Sequence, residues 1–147
     1  MSNTPTNPMT VKERLFHAVL FEIGAIGLTV AVFALLGDNH SPTHATGLAV
    51  AISVLAVVWN MVFNFLFDKV VTGERIDRSL GTRLVHMGLF EGGLFLATVP
   101  MIAYALDVSL WTAFVMDIGV VAVIGVYTLL FNWGYDWVRF FIVRNNT

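Results

Sequence analysis

The stretch RLFHAVLFE, Arg14–Glu22, opens the first long apolar run of the chain and decides how the rest is interpreted. It sets an arginine, a histidine and a glutamate among apolar residues. The pattern returns as RLVHMGLFE, Arg83–Glu91, with arginine, histidine, phenylalanine and glutamate at the same places. The chain therefore contains an internal repeat that carries a carboxylate into each of two apolar segments.

Composition places these segments in a membrane. Of the 147 residues, 57% are hydrophobic and 12% are charged, whereas a soluble domain is about a quarter charged. The segments are apolar all round, while a soluble helix needs a polar face. We predict an all-α membrane protein with four transmembrane helices, each long enough to cross the hydrocarbon layer. The predicted spans are about 15–36, 47–67, 84–106 and 109–132.

The distribution of basic residues predicts the orientation. All eight lie on one side of the predicted spans: Lys12, Arg14, Lys69, Arg75, Arg78, Arg83, Arg139 and Arg144. The two opposite loops contain Asp38, His40, His44 and Asp107, but neither lysine nor arginine. By the positive-inside rule, both termini are predicted to be cytoplasmic.

A second pair of motifs, WNMVFNFLFD (Trp59–Asp68) and YTLLFNWGYD (Tyr127–Asp136), shows that the whole hairpin is repeated. The two motif pairs recur 69 and 68 residues apart, so the halves share length and order. Both copies begin on the same predicted side, which makes this a parallel repeat of two tandem helical hairpins. We expect a disordered cytoplasmic tail (1–11), a first repeat (12–70), a basic cytoplasmic loop (71–82), a second repeat (83–140) and a cytoplasmic tail (141–147).

The four motifs resemble those of the proteobacterial antimicrobial compound efflux family, which is built from tandem bacterial transmembrane pair domains. The resemblance covers residues 12 to about 140, with one departure at Thr128, where the first copy has Asn60. It implies a secondary active transporter of the bacterial inner membrane and not an enzyme. The implied activity is proton-coupled efflux of hydrophobic cationic biocides such as chlorhexidine, with short-chain diamines as a further substrate class. The coupling ion would be the proton, with no other cofactor.

Glu22 is the first candidate for proton and cation coupling. A charged residue inside a span costs roughly 2.5–3.5 kcal/mol, so such residues commonly serve a function. Removal from water favours the protonated carboxyl group, whereas a bound cation favours the ionised one. One group can therefore exchange a proton for a cationic drug, and the resemblance maps the family's essential acidic residue onto Glu22. The alternative is a protonated glutamate that fixes helix packing.

Glu91 occupies the repeat-related place and is the second coupling candidate. Gly92 and Gly93 follow it and permit close approach of another helix. Glu91 is therefore either a second coupling site or a packing residue that survived duplication.

His17 and His86 lie one turn from Arg14 and Arg83. Histidine can titrate near neutral pH, so a proton relay to the glutamates is one interpretation. The other is a structural pair that hydrogen-bonds across the bundle and contacts lipid headgroups.

The second motif places polar and aromatic stripes side by side. Such stripes suit a pocket for flat cations, and they equally suit helix packing, since asparagine can join membrane helices. The candidate substrate contacts are Trp59, Asn60, Phe63, Asn64, Tyr127 and Asn132. Arg14, Arg83, Asp68 and Asp136 are interpreted as structural residues of the motifs, with the aspartates capping the cytoplasmic end.

Asp117 has no counterpart in the first half, where Ala49 is aligned with it. It is a further candidate for substrate binding, lining either an exit route or a subunit interface.

Two other classes of function stay open on the sequence alone. One is a membrane electron carrier with His17 and His86 as haem ligands, and the other is a non-transporting assembly partner. No P-loop is present, so ATP hydrolysis is not expected. The expected partners are hydrophobic cationic small molecules, membrane lipid and a second copy of the chain in a homodimer, but no nucleic acid.

Overall fold

The computed structural model describes residues 9–36, 41–74 and 77–145, and the side chains up to residue 142. The N-terminal part of the predicted tail lies outside the described residues. So do Asp38 and His40 of the first loop, Arg75 of the basic loop and the side chain of Arg144.

Four helices make up the described chain: α1 (Val11–Leu36), α2 (Pro42–Val70), α3 (Leu80–Ala105) and α4 (Leu110–Asn145). Each is long and apolar enough to cross a membrane, which confirms the predicted all-α fold with four spans. α3 begins inside the predicted loop 71–82, and α4 continues into the predicted tail 141–147, because no helix-breaking residue interrupts its aromatic-rich last turns.

The helix starts are set by polar caps. The Thr10 hydroxyl accepts from the backbone N–H of Glu13 at 3.2 Å, and the Glu13 carboxylate accepts from the N–H of Thr10 at 2.7 Å. This reciprocal capping box satisfies two donors that the first turn leaves without helical partners. Ser41 and Ser79 cap α2 and α3 in the simpler way, each hydroxyl accepting from a backbone N–H three residues later.

The helices form a closed ring. α1 packs against α2 and α4, and α3 packs against α2 and α4, while the described parts of the two diagonal pairs do not meet. We call the end with the α1–α2 and α3–α4 connections the loop end, and the end with both termini and the α2–α3 connection the terminal end.

The hydrophobic core lies in the half of the bundle nearer the loop end. Its buried members come from all four helices: Val32, Phe33, Ala45, Leu48, Ile52, Ile102, Leu106, Ala113, Met116 and Val120. Outward-facing apolar side chains such as Leu96 and Leu129 are 81% and 74% exposed, as expected where lipid replaces water. The bundle is thus packed tightly at the loop end and less tightly towards the terminal end.

Candidate functional site

The two motif histidines join each odd-numbered helix to an even-numbered helix of the other repeat. His17 Nε2 lies 3.1 Å from Asn132 Oδ1, which joins α1 to α4. His86 Nε2 lies 3.0 Å from Asn64 Oδ1, which joins α3 to α2. The Asn64 amide nitrogen donates to the Asn60 carbonyl at 2.8 Å, so its oxygen faces the histidine and His86 Nε2 carries the hydrogen. The proton-relay role of both histidines stays a prediction.

A second matched pair of contacts lies one turn further into the bundle. Tyr127 donates its hydroxyl hydrogen to the Phe21 carbonyl at 3.2 Å, and Trp59 Nε1 donates to the Phe90 carbonyl at 3.0 Å. Each carbonyl belongs to the residue just before a motif glutamate. Tyr127 and Trp59 therefore fix the two helices at the level where the carboxylates enter the bundle.

These aromatic rings lie directly on two glycines. A Cβ on Gly24 would come within 2.7 Å of Tyr127 Cζ, and a Cβ on Gly93 within 2.9 Å of Trp59 Cη2. Close approach at Gly93 was anticipated from the sequence, but Gly24 was missed. The available signal was the repeat itself, because both glycines stand two residues after a motif glutamate.

A central cavity of about 450 Å³ lies among the four helices. Three acidic residues line it, Glu22, Glu91 and Asp117, and none of the described lining residues is a lysine, arginine or histidine. The uncharged polar side chains in the lining are Thr29, Ser53, Asn60, Thr98 and Thr128. Most of the remaining wall is apolar and includes Phe21 and Phe90. The cavity can therefore accommodate positive charge but offers no basic group of its own to balance the carboxylates.

The three carboxyl groups have different surroundings. Asp117 is 3% exposed and hydrogen-bonded to the Thr98 hydroxyl. It lies on the cavity wall inside the bundle, not on the outer surface. Glu91 Oε2 is buried with no hydrogen-bond partner, and the Glu22 carboxyl group has no hydrogen bond or ion pair with the described residues. Both glutamates are only partly buried.

Only some of the predicted substrate-binding residues line the cavity. Asn60 lines it, together with Thr128 of the second repeat. Trp59, Phe63, Asn64, Tyr127 and Asn132 do not, because their side chains pack between helices. The Phe63 ring, for example, lies 5.0 Å from the His86 ring and 5.6 Å from the Phe90 ring. Sequence reasoning missed three polar lining residues, Thr29, Ser53 and Thr98.

The structural residues of the motifs gather at the terminal end. Arg83 Nε donates to the Arg78 carbonyl at 3.2 Å, and Arg14 Nε to the Met9 carbonyl at 3.4 Å. Arg78 pairs with Asp68 at 2.6 Å. Asp136 is exposed.

The haem interpretation fits this arrangement poorly. Both histidines use Nε2 in hydrogen bonds to asparagine, and their rings pack edge-on against the aromatic rings of Tyr135 and Phe67. Their helices, α1 and α3, lie diagonally across the ring and do not meet. The two histidines serve separate helix contacts, so they do not face one shared planar ligand.

Comparison with known proteins gives a consistent family. The model of the chlorhexidine efflux transporter family matches the chain twice, over residues 9–73 and 78–140. A short-chain diamines transporter of Acinetobacter baylyi (strain ADP1) is 41% identical over 126 residues, covering 85% of this chain and 88% of the relative. Proteins of the same name from Acinetobacter baumannii and Vibrio parahaemolyticus are 43% and 40% identical, covering 85% and 89% of this chain and 86% and 93% of the relatives. No solved structure matches the chain significantly.

Proposed function

Because the chain belongs to the chlorhexidine efflux transporter family, we propose that it exports hydrophobic cations in exchange for protons. It is a transporter and a multi-pass protein of the bacterial inner membrane. The proposed substrates are cationic biocides such as chlorhexidine and short-chain diamines, the latter taken from the names of the relatives.

The observation that carries the proposal is the central cavity, whose described lining contains three acidic residues and no basic one. In surroundings this apolar, an ionised carboxylate is costly unless a positive charge neutralises it. That charge is supplied by a bound proton or by a cationic guest. The lining also includes the aromatic residues Phe21 and Phe90, and aromatic rings favour a cation over a neutral guest.

Glu22 is the proposed exchange residue. Its carboxyl group faces the cavity and makes no hydrogen bond or ion pair with the described residues, so no protein partner competes with a guest. At about 4 Å and an effective dielectric constant of 20, a cation gains roughly 4 kcal/mol from an ionised carboxylate. Protonation removes that attraction. Proton binding and substrate binding at Glu22 therefore exclude one another, which is the requirement for antiport.

The packing suggests from which side the cavity is reached. Core residues such as Ile102, Leu106 and Met116 fill the loop end, and the proposed entry route therefore runs from the terminal end. The basic residues predict that this end is cytoplasmic. The described conformation would then take up substrate from inside, and export would require the loop end to separate. The homodimer stays part of the proposal, as do the lipid contacts of the exposed apolar surface.

Transport into everted membrane vesicles tests the exchange. Glu22→Gln keeps the shape and removes the titrating group, so it is expected to abolish proton-driven uptake of a labelled diamine. Glu22→Asp retains the charge and is expected to keep part of the uptake. Glu74→Gln makes the same change at an exposed position outside the cavity and serves as the matched control. Undiminished proton-driven uptake by Glu22→Gln would show that the exchange residue is elsewhere.

A further inference from the structure

The cavity contains one acidic pair that has no counterpart in the other repeat. Asp117 of α4 and Glu91 of α3 both line the cavity, and Asp117 is hydrogen-bonded to Thr98, which follows Glu91 by about two turns of α3. The residue aligned with Asp117 in the first half is Ala49, which also lines the cavity and is 2% exposed. Glu22 therefore stands alone on its side, while Glu91 has a carboxyl neighbour.

The hydrogen bonds of the Thr98 hydroxyl indicate which carboxyl group of this pair carries a proton. The Thr98 hydroxyl has one hydrogen but lies within hydrogen-bond distance of two oxygens, the Leu94 carbonyl at 3.0 Å and Asp117 Oδ2. Its repeat counterpart Thr29 donates to the carbonyl four residues earlier, at 2.9 Å. If Thr98 does the same, its oxygen can only accept from Asp117, which must then carry a proton of its own.

Glu91 supplies the other half of the pair. Its Oε2 is buried and has no hydrogen-bond partner among the described residues. Two carboxyl groups that share one largely apolar site do not both ionise readily, so such a pair retains one proton and one negative charge. Among the described lining residues the other titratable group is Glu22 on α1, while the polar residues that α2 contributes are the uncharged Ser53 and Asn60.

We infer that Glu91 and Asp117 form a second proton-exchange site, at which the proton on Asp117 leaves when a second positive charge enters the cavity. The O–H bond of Asp117 breaks and the proton passes to water, while both carboxylates then face the incoming ammonium group. With Glu22 also exchanging, two protons leave as two positive charges enter, so the net charge of the cavity is unchanged. The inference rests on the proposed function, because it assumes that cations bind in this cavity.

Proton counting by calorimetry separates the two claims. The whole protein in detergent is titrated with putrescine in buffers of different ionisation enthalpy, which gives the protons released per diamine bound. The wild type is expected to release about two protons, and Asp117→Asn or Glu22→Gln about one each. Two protons from Asp117→Asn would overturn the second site, whereas two protons from Glu22→Gln would overturn the proposed function instead.

Asparagine is a suitable replacement because its N–H can donate to Thr98 as the protonated acid does. An infrared measurement on the empty protein needs no substrate binding. The wild type should show a protonated carboxylic C=O band that Asp117→Asn removes. Thr98→Val should shift this band, while Thr98→Ser, which keeps the hydroxyl, should not. Because Glu22 is also protonated in the empty protein, the test is the difference: protonated C=O absorption that is identical in the wild type and in Asp117→Asn would refute a proton on Asp117.

Discussion

The contact between Trp59 and Gly93 gives the sharpest test of how the helices are held around the cavity. A methyl group on Gly93 would lie 2.9 Å from Cη2 and 3.1 Å from Cε2 of the indole ring, closer than carbon atoms pack. The ring cannot simply swing aside, because its Nε1 is bonded to the Phe90 carbonyl. Gly93→Ala must therefore displace Trp59 or push α3 away from α2.

The expected change in the free energy of unfolding of Gly93→Ala combines two destabilising effects with one stabilising effect. Overpacking costs about 1–3 kcal/mol, and loss of the indole hydrogen bond costs about 0.5–1.5 kcal/mol. Alanine gains about 1 kcal/mol over glycine inside a helix. The expected net destabilisation of Gly93→Ala is about 2 kcal/mol.

The chain offers a control at the next residue. A Cβ on Gly92 meets nothing within 4 Å, so Gly92→Ala should raise the free energy of unfolding by the gain of alanine over glycine in a helix and change nothing else. The difference in unfolding free energy between the two variants cancels the helix-propensity gain that both share. It therefore measures the clash and the lost hydrogen bond, at about 3 kcal/mol. Unfolding in mixed micelles with an increasing SDS fraction measures both free energies.

A double-mutant cycle assigns the cost to the ring. In a Trp59→Leu background the indole is absent, so adding Gly93→Ala should cost much less than it does in the wild type. Equal stabilities of Gly92→Ala and Gly93→Ala would refute the close packing of α2 on α3 at the level of Glu91.

The remaining predictions concern orientation and the matching contact in the other half. Because the chain contains no cysteine, single cysteines can be introduced at two exposed threonines, Thr43 and Thr72. A membrane-impermeant maleimide added to intact cells should label Thr43→Cys but not Thr72→Cys. The reverse pattern would invert the predicted topology. Tyr127→Phe removes the hydroxyl bonded to the Phe21 carbonyl and should lower the free energy of unfolding by about 1 kcal/mol. Tyr104→Phe, at a residue 92% exposed, should leave it unchanged, and equal losses in the two variants would contradict the interhelical bond.

The fold was predictable because it depends on properties that the sequence displays directly. Four apolar runs of membrane length admit few structures other than spanning helices, since lipid leaves backbone groups no partner outside the segment. The repeat also indicated which residues are equivalent, and the histidine–asparagine contacts obey that equivalence in both halves.

The boundary between cavity and packing was harder to predict, because it depends on the rotation of each helix about its axis. The interpretation of the second motif placed Asn60 and Asn64 together in a substrate pocket. In the structure only Asn60 lines the cavity, while Asn64 donates its amide N–H to Asn60 Oδ1 and turns its own oxygen to His86 on α3. Residues four apart share a helix face only approximately, and the partner helix decides which of them it covers. The sequence of one helix does not show which helix packs against it. The spacing of Asn60 and Asn64 therefore could not predict which of them lines the cavity.

The internal repeat gives the two halves the same helix contacts, namely the histidine–asparagine bonds and the aromatic rings over glycine. The cavity lining combines matched pairs, such as Glu22 with Glu91, with unmatched ones, as at Ala49 and Asp117 or at Asn60 and Thr128. A nearly symmetric frame thus encloses an asymmetric site, with a lone carboxyl group on one wall and a pair on the other. A guest with two positive charges would meet two unlike acids, so the two hairpins need not contribute equally to exchange even though they pack alike.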